Sequence, residues 1–380
     1  MNGRKKIEAA FSIEGTAAVP VVICYTDIFI NDHWEELTNK PWWYKFSPDI
    51  NQQLLWRKEV ASVIDQDWFE LPVAYPGNEA KYFSIIKNNK EIFIVDLRNN
   101  KKKKLERPSM EGKDIPVVRP YCTENSPHNL EEFDLWFNNF EENKKLNKLL
   151  QNDIYKLPNR IISSWGKTLF PIRDIPGPLW HCFVLWGFEK TMMWLIEKPE
   201  MIHYACKKFT EYALDLVILA KKIGTSGIWI VDCMTDMISP EHFKMFNTKY
   251  LRQITAEINS HNMYSIHNFC GNPKGKWDLL ISSGANGLAL EESKKNFKIN
   301  IEEVVKIVNK RITIFGNLDA LNILANGSKD DLSLEIRRQI EAGRKNGNRF
   351  IMSIGSPVTP GTKLSRVQEY IRMVRSLNSG

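Results

Sequence analysis

His267 and Cys270, three residues apart in the second half of the chain, are the side chains with the most suggestive chemistry. A neutral imidazole and a thiolate are both zinc ligands, and a catalytic zinc keeps one coordination position open for substrate. A lone histidine and a lone cysteine are also common as ordinary buried residues. The elements that position the two side chains, and the groups that accompany them, decide between these interpretations.

Other reactive side chains in the same half of the chain also follow short apolar segments. They are Asp232 and Asp236, Glu291, Asn317 and Asp319, and Ser356. Carboxylates can complete a zinc site, and two aspartates can act as acid and base if burial separates their pKa values. Asp236 suits a helix cap equally well.

The apolar segments alternate with polar stretches of helical pattern, which predicts parallel strands. The predicted strands are Val19–Tyr25, Trp68–Leu71, Leu169–Arg173, Gly227–Asp232, Met263–Asn268, Gly287–Glu291, Ile312–Asn317 and Arg349–Gly355. Eight such strands favour a closed (β/α)8 TIM barrel over a doubly wound sheet, in one domain over residues 1–380. The C-terminal ends of barrel strands meet at one mouth, so we expect the reactive groups to converge there.

Residues 75–125 interrupt this alternation and predict an insertion outside the barrel. Within them, Tyr82–Ile86 and Ile92–Leu97 have the pattern of a β-hairpin, and the lysine run Lys101–Lys104 is expected to be a solvated loop. Leu130–Leu150 carries apolar residues at helical spacing and predicts an amphipathic helix. The sequence therefore predicts an N-terminal insertion with a β-hairpin and a helix.

Composition narrows the class of protein. The 380 residues, 43% of them hydrophobic, can bury a large core. The formal net charge of +7 is not concentrated on one predicted face, and no nucleic-acid module is recognisable, so we expect no nucleic-acid partner. Six cysteines without framework spacing favour reduced thiols. With no clean leader and no apolar run that spans a bilayer, we expect a cytoplasmic protein without a membrane partner.

Several motifs accompany the His267–Cys270 pair. They are His267-Asn-Phe-Cys270-Gly271, Gly316-Asn317-Leu318-Asp319, the last strand Phe350–Gly355, Gly177-Pro178-Leu179-Trp180, and Asp232 with Ser239-Pro240. In combination they resemble the uroporphyrinogen decarboxylase superfamily over most of the chain, most strongly from about Asp174 onward. The resemblance implies a (β/α)8 barrel. It also implies one of two activities, decarboxylation of a tetrapyrrole or zinc-dependent methyl transfer between a corrinoid protein and a thiol.

Two features favour the methyltransferase branch. The decarboxylases carry an arginine-bearing N-terminal motif, whereas the first predicted strand here contains no arginine. The hairpin insertion and the His…Cys-Gly motif are more similar to methylcobamide:coenzyme M methyltransferases. That branch binds zinc with His-x-Cys and a cysteine on the last strand, whereas this chain has His-x-x-Cys and places Ser356 near the expected cysteine. The resemblance thus implies His267 and Cys270 as ligands, with Glu291, Asp232 or Cys233 as the third.

The sequence therefore predicts a methyltransferase that moves a methyl group between a corrinoid on a separate protein and a small acceptor such as a thiol. The assigned residues are the zinc ligands His267, Cys270 and Glu291, the catalytic Asp232 and Asp236, and the substrate contacts Asn317, Asp319, Ser356 and Tyr25. One alternative is a metal-independent decarboxylase or lyase, in which Asp232 or Asp236 handles a proton. Another is a non-catalytic barrel that binds a tetrapyrrole.

Overall fold

The computed structural model describes residues 1–72, 77–89, 91–108, 126–142, 151–292 and 297–377. Within these ranges the strands are β1 (Trp68–Glu70), β2 (Phe83–Asn88), β3 (Glu91–Asp96), β4 (Lys101–Leu105), β5 (Phe170–Pro176), β6 (Gly227–Asp232), β7 (Tyr264–Phe269), β8 (Gly287–Leu290), β9 (Thr313–Phe315) and β10 (Phe350–Ile351). One sheet is parallel and has the order β1-β5-β6-β7-β8-β9-β10, and the other is β2-β3-β4. The predicted α/β class with consecutive parallel strands is thereby confirmed.

Helices precede, connect and follow the parallel strands. They are α1 (Gly3–Phe11), α2 (Thr26–Asp32), α3 (Trp34–Leu37), α4 (Ile50–Ile64), α5 (Leu130–Glu142), α6 (Lys156–Trp165), α7 (Pro178–Trp186), α8 (Phe188–Glu197), α9 (Pro199–Ile223), α10 (Pro240–Phe243), α11 (Lys249–Ser260), α12 (Trp277–Ile281), α13 (Ile301–Val308), α14 (Lys329–Lys345) and α15 (Leu364–Ser376). Ile228 and Ile230 of β6 pack with Val217 of α9 and Ile254 of α11, so this face of the sheet is covered by helices. No helix in the described ranges is both long and apolar enough to cross a membrane.

A segment around Val21 meets both edges of the parallel sheet. Val21 forms a parallel bridge with Met352, where Val22 N donates to Met352 O at 2.9 Å and Met352 N to Pro20 O at 2.8 Å. On the other side, Asp67 N donates to Val21 O at 3.0 Å, and Val21 N donates to Asp67 Oδ2 at 2.7 Å. The sheet therefore curls until its two edges meet one segment.

The predicted strand Val19–Tyr25 is only a bridge at Val21 and not a regular strand. Two of its amides bond to side chains instead of to a neighbouring main chain, Val21 N to the Asp67 carboxylate and Ile23 N to Gln66 Oε1 at 2.8 Å. The ladder is therefore interrupted. The other seven predicted strands correspond to the strands of the parallel sheet.

The second sheet contains the predicted hairpin. β2 and β3 pair antiparallel, with Asn88 opposite Glu91. The prediction of a solvated loop at Lys101–Lys104 is wrong, because these residues pair with β3 as β4. The four lysine side chains are exposed, and charged side chains of this kind protect an edge strand from further pairing.

The structure describes only part of the rest of the predicted insertion. Residues 109–125 of the predicted insertion, and residues 143–150 of the helix predicted at Leu130–Leu150, lie outside the described residues. The first part of that helix is present as α5. The boundaries 75–125 stay a prediction.

Replacing Asp67 by alanine is expected to lower the free energy of unfolding by about 2–4 kcal/mol, since the buried amide of Val21 loses its acceptor. The carboxylate is almost fully buried and also lies 3.5 Å from Lys6 Nζ and 3.7 Å from Arg375 Nη2. Urea unfolding followed by circular dichroism measures the loss. Asp67→Asn keeps an acceptor oxygen and should lose clearly less, and equal losses for the two variants would contradict this role.

Candidate functional site

Two thiols meet at the carboxyl ends of β6 and β7. Cys233 Sγ lies 3.0 Å from Cys270 Sγ. Cys270 N donates to Asp232 O at 3.0 Å, which continues the parallel pairing beyond Phe269 and sets the two cysteines side by side. We call Cys233 and Cys270 the thiol pair.

Tyr25 and Asn268 surround the sulfur of Cys270. Asn268 Nδ2 donates to Tyr25 Oη at 2.7 Å and lies 3.6 Å from Cys270 Sγ, and Tyr25 Oη is 3.8 Å from the same sulfur. Tyr25 has φ 54°, a left-handed conformation that is unusual for a bulky residue. It precedes α2 and sends its hydroxyl toward the thiol pair. We call the region of Tyr25, Asn268 and the thiol pair the mouth.

Two titratable groups of the mouth, Cys270 and Tyr25, are held in their neutral forms. The hydrogen bond with Cys233, burial, and the negative charge of Glu291 raise the pKa of Cys270 well above its ordinary value. Burial, and then the neighbouring cysteine charges, raise the pKa of Tyr25. At neutral pH, Cys270 is therefore a thiol and Tyr25 a phenol, and a cation placed beside them would favour their ionised forms.

His267 belongs to a different polar cluster. Its Nε2 lies 2.8 Å from Asp232 Oδ2, and the same oxygen accepts a hydrogen bond of 2.7 Å from Asn247 Nδ2. All three side chains are almost completely buried. Asn247 lies in a π-helical turn, Lys244–Thr248, a feature that is frequent near functional sites. This cluster ties the ends of β6 and β7 to the helix layer.

The alternation of side chains along β7 explains why His267 and Cys270 do not meet. Ser265 Oγ donates to Asn259 of α11 at 3.0 Å, so Ser265 faces the helices, and His267, two residues later, does the same. Asn268 and Cys270 project from the opposite face, toward Tyr25. The partner of Cys270 on the mouth side is therefore Asn268.

The predicted zinc ligands are not brought together. His267 is engaged by Asp232 on the outer face, while Glu291 acts on Cys270 through its charge. Across the described residues, no three histidine, cysteine, aspartate or glutamate side chains are arranged to hold a metal ion. The thiol pair supplies two donors of the type that zinc accepts. The donor chemistry thus fits zinc at Cys233 and Cys270, but not at His267.

Two of the predicted substrate contacts are engaged within the protein. Asn317 Nδ2 donates to Glu291 O at 3.1 Å and to Ile299 O at 2.9 Å. Ser356 Oγ donates to Glu292 Oε1 at 3.0 Å. Both side chains are buried, and they hold the loop after β8 in place.

Asp319 and Asp236 shape the loops at the same end of the sheet. Asp319 caps the helical turn Ala320–Ala325 by accepting hydrogen bonds from the first amides of that turn. Asp236 Oδ2 accepts from Asn272 N at 3.3 Å. Gly271 has φ 120°, and a Cβ there would come within 2.1 Å of the Asp236 carboxylate, so glycine is required beside Cys270. Both aspartates therefore have structural roles in this arrangement.

Two carboxyl groups that the sequence analysis did not select also face the mouth. Glu70 ends β1, and Asp174 lies on the neighbouring strand β5. Together with Tyr25 and Trp229 they line a small internal cavity. Glu70 is the penultimate residue of the predicted strand Trp68–Leu71 and Asp174 directly follows Leu169–Arg173, so the rule that strand C-terminal ends carry the site applied to them too. We call Glu70 and Asp174 the carboxyl pair.

The carboxyl pair has strongly raised pKa values. Burial, and then the charge of Asp174, raise the pKa of Glu70 to about 8. Burial raises the pKa of Asp174 to about 7, against a lowering by Arg173. Carboxyl groups of this kind are frequent at functional sites. Both groups therefore keep their protons to a higher pH than ordinary carboxyl groups do, and a bound cation would favour their ionised forms.

Comparisons with known proteins agree on one family. The family model described as Uroporphyrinogen decarboxylase (URO-D) matches residues 175–377. A uroporphyrinogen decarboxylase of Schizosaccharomyces pombe is 27% identical over 201 residues, covering 50% of this chain and 54% of that protein. The methylcobamide:CoM methyltransferase MtaA of Methanosarcina barkeri is 24% identical over 203 residues, covering 53% and 56%. The chain thus spans about half the length of the curated relatives that it matches.

A solved structure resembles the whole chain. A methyltransferase from Methanosarcina mazei aligns over 99% of this chain and 98% of its own, with a TM-score of 0.66 and 16% sequence identity. The two proteins therefore share a fold over nearly their full lengths.

Replacing His267 by alanine is expected to lower the free energy of unfolding by about 2–4 kcal/mol, because Asp232 stays buried without one of its partners. The alkylation rate of Cys270 by iodoacetamide should stay that of the wild type, since His267 lies on the other face of β7. Urea unfolding and mass spectrometry of the labelled protein measure the two effects. A large change in labelling with unchanged stability would place His267 in the mouth instead.

Stability is expected to fall as pH rises from the ordinary carboxyl pKa of 4.5 to about 8. In this window the folded carboxyl pair keeps protons that the unfolded chain has released, so the free energy of unfolding decreases by about 1.4 kcal/mol per pH unit for each such proton. Glu70→Gln removes one of these groups and should show a shallower decline. Parallel pH profiles of stability for wild type and variant would contradict the raised pKa values.

Proposed function

Because this chain belongs to the uroporphyrinogen decarboxylase family, as its motifs predicted, we propose that it is a methyltransferase acting between a corrinoid and a small acceptor such as a thiol. The corrinoid would be carried by a separate protein. The matched region, residues 175–377, contains the thiol pair and the strand ends around it. The observation that carries the proposal is the thiol pair, because two converging sulfurs suit the binding of a soft metal that activates a thiol.

The finer architecture is part of the proposal. The Val21 segment bonds to both edges of the parallel sheet, which supports a closed (β/α)8 barrel with this segment as its first strand. The alignment with the Methanosarcina mazei methyltransferase over 99% of the chain supports the same architecture. The sheet β2-β3-β4 would then be the insertion between the second and third barrel strands.

Zinc would be held here by Cys233 and Cys270. Glu291, which follows β8, is our candidate for an oxygen ligand, because its charge acts on Cys270. It does not form a complete three-ligand site with the two sulfurs in this structure, so binding would require its carboxylate to move toward them. The chemistry that zinc would supply here is to lower the pKa of an acceptor thiol. The thiolate would then form the sulfur–carbon bond while the cobalt–carbon bond breaks, and the corrinoid would leave with the electron pair of that bond. Compared with the prediction from the sequence, Cys233 takes the place of His267 in the ligand set.

The remaining mouth residues position the reacting groups. The Tyr25 hydroxyl and the Asn268 amide bond to each other and lie beside Cys270, so they fix the orientation of its sulfur. The cluster of Asp232, His267 and Asn247 holds the ends of β6 and β7 from behind. Asp232 is completely buried there, so it is a positioning residue for Cys233 in this proposal.

A decarboxylase is the second candidate, and the carboxyl pair is the observation that favours it. With pKa values of about 8 and 7, Glu70 and Asp174 carry protons at neutral pH and can deliver the proton that replaces a lost carboxylate. Asp232 does not fit that role, because it faces the helices. This function would not depend on Cys233 or Cys270.

Replacing Cys270 by serine is expected to slow methyl transfer from methylcobalamin to 2-mercaptoethanesulfonate by at least about tenfold, since a sulfur ligand of the metal is lost. The anaerobic change in corrinoid absorbance on demethylation measures the rate. Zinc content, measured on the same preparations, should be lost in this variant and kept in His267→Ala.

Cys206→Ser is the matched control for that substitution. Cys206 is equally buried but lies in α9, beside Cys182 and away from the mouth. It should keep the wild-type transfer rate. Wild-type transfer by Cys270→Ser, or a wild-type protein that decarboxylates uroporphyrinogen and transfers no methyl group, would refute the methyltransferase proposal.

A further inference from the structure

A cavity of about 520 Å³ lies beside the carboxyl pair and has no part in the proposed methyl transfer. Its volume is within the range of small-molecule sites. Apolar side chains from two helices form much of its wall, namely Trp56 of α4 with Ile161 and Trp165 of α6. An organic ligand with an apolar body would be well accommodated there.

The polar end of the cavity has more acidic than basic side chains. Three carboxyl groups, Asp27, Glu70 and Asp174, line it together with two bases, Lys45 and Arg57. Both basic groups interact with Asp27. Lys45 Nζ lies 2.9 Å from Asp27 Oδ2, and the negative charge of Asp27 acts on the Arg57 guanidinium. With three acidic and two basic groups, the cavity has one acidic group more than its basic groups can pair with.

The carboxyl pair is the part of the cavity that lacks a basic partner. Glu70 Oε1 accepts a hydrogen bond of 3.1 Å from Thr26 N, and Asp174 Oδ1 has no hydrogen-bond partner among the described residues. None of the ion pairs that the described side chains form involves Glu70 or Asp174. Arg173, the chain neighbour of Asp174, projects from the opposite face of β5. Buried carboxylates of this kind need a cationic partner.

We propose that this cavity binds a small organic ammonium ion, with its N–H groups on Glu70 and Asp174 and its apolar body against Trp56 and Trp165. An anionic ligand would meet the carboxyl pair with like charge, and a bare metal ion would leave the apolar wall unfilled. Tyr25 lies beside both the carboxyl pair and the thiol pair, so the ammonium group would sit next to the mouth. The site does not require that the chain transfers methyl groups.

Benzylamine is a suitable probe, and benzyl alcohol is its neutral counterpart of the same shape. In isothermal titration calorimetry at neutral pH, benzylamine should bind to the full chain and benzyl alcohol should bind much more weakly. Glu70→Gln and Asp174→Asn should each weaken benzylamine binding by about tenfold or more, because each removes a charged hydrogen-bond acceptor. Glu303→Gln, the same change at an exposed carboxylate of α13, should bind like the wild type.

Three results would overturn the proposal: no binding of benzylamine, equal binding of benzyl alcohol, or wild-type affinity in both Glu70→Gln and Asp174→Asn. Circular dichroism and urea unfolding confirm that each variant is folded, and the exchange of glutamate for glutamine changes the volume very little. No corrinoid or thiol is present in the titration. The result of the titration therefore does not depend on whether the protein transfers methyl groups.

Discussion

The alternation of side chains along β7 divides the chemistry of this protein between the two faces of one sheet. His267 projects toward the helices, where it bonds to the buried Asp232. Asn268 and Cys270 project toward Tyr25 at the mouth. Because a shift of one residue along a strand exchanges its faces, the position of every other group in the site depends on this register. The cluster of Asp232, His267 and Asn247 on the helix side therefore holds the strand ends in place, and the side chains on the mouth side are available for chemistry.

Several acidic groups on the mouth side have raised pKa values, which favour their neutral forms. The hydrogen bond with Cys233 and burial raise the pKa of Cys270, and burial raises the pKa values of Tyr25, Glu70 and Asp174. Each of them gains from a cation: a metal ion beside the sulfurs, or an ammonium group beside the carboxyl pair. In both proposals the same physical cause, the burial of acidic groups without a cationic partner, produces a preference for positively charged ligands.

The sequence was sufficient for most of the sheet, because buried parallel strands are continuous apolar runs, and β6 covers the same residues as its prediction. It was insufficient for Val19–Tyr25, where hydrogen bonds from main-chain amides to the Asp67 and Gln66 side chains take the place of hydrogen bonds between two strands. Cys270 at the mouth could be predicted from its strand end. That His267 faces the helices could not be predicted. The spacing in the sequence gives the number of residues between His267 and Cys270, but only the strand register determines which face of the sheet each side chain occupies. Glu70 was not predicted, because the resemblance is strongest from about Asp174 onward and none of its motifs includes this residue.

The most direct test of the account is a crystal structure of the protein after reaction with methylmercury, whose mercury marks reactive sulfur by anomalous scattering. We expect mercury at the thiol pair, beside Tyr25, with His267 Nε2 still bonded to Asp232 on the helix side of β7. Mercury bound jointly by Cys270 and His267 would contradict it, because both side chains would then share one face of the sheet.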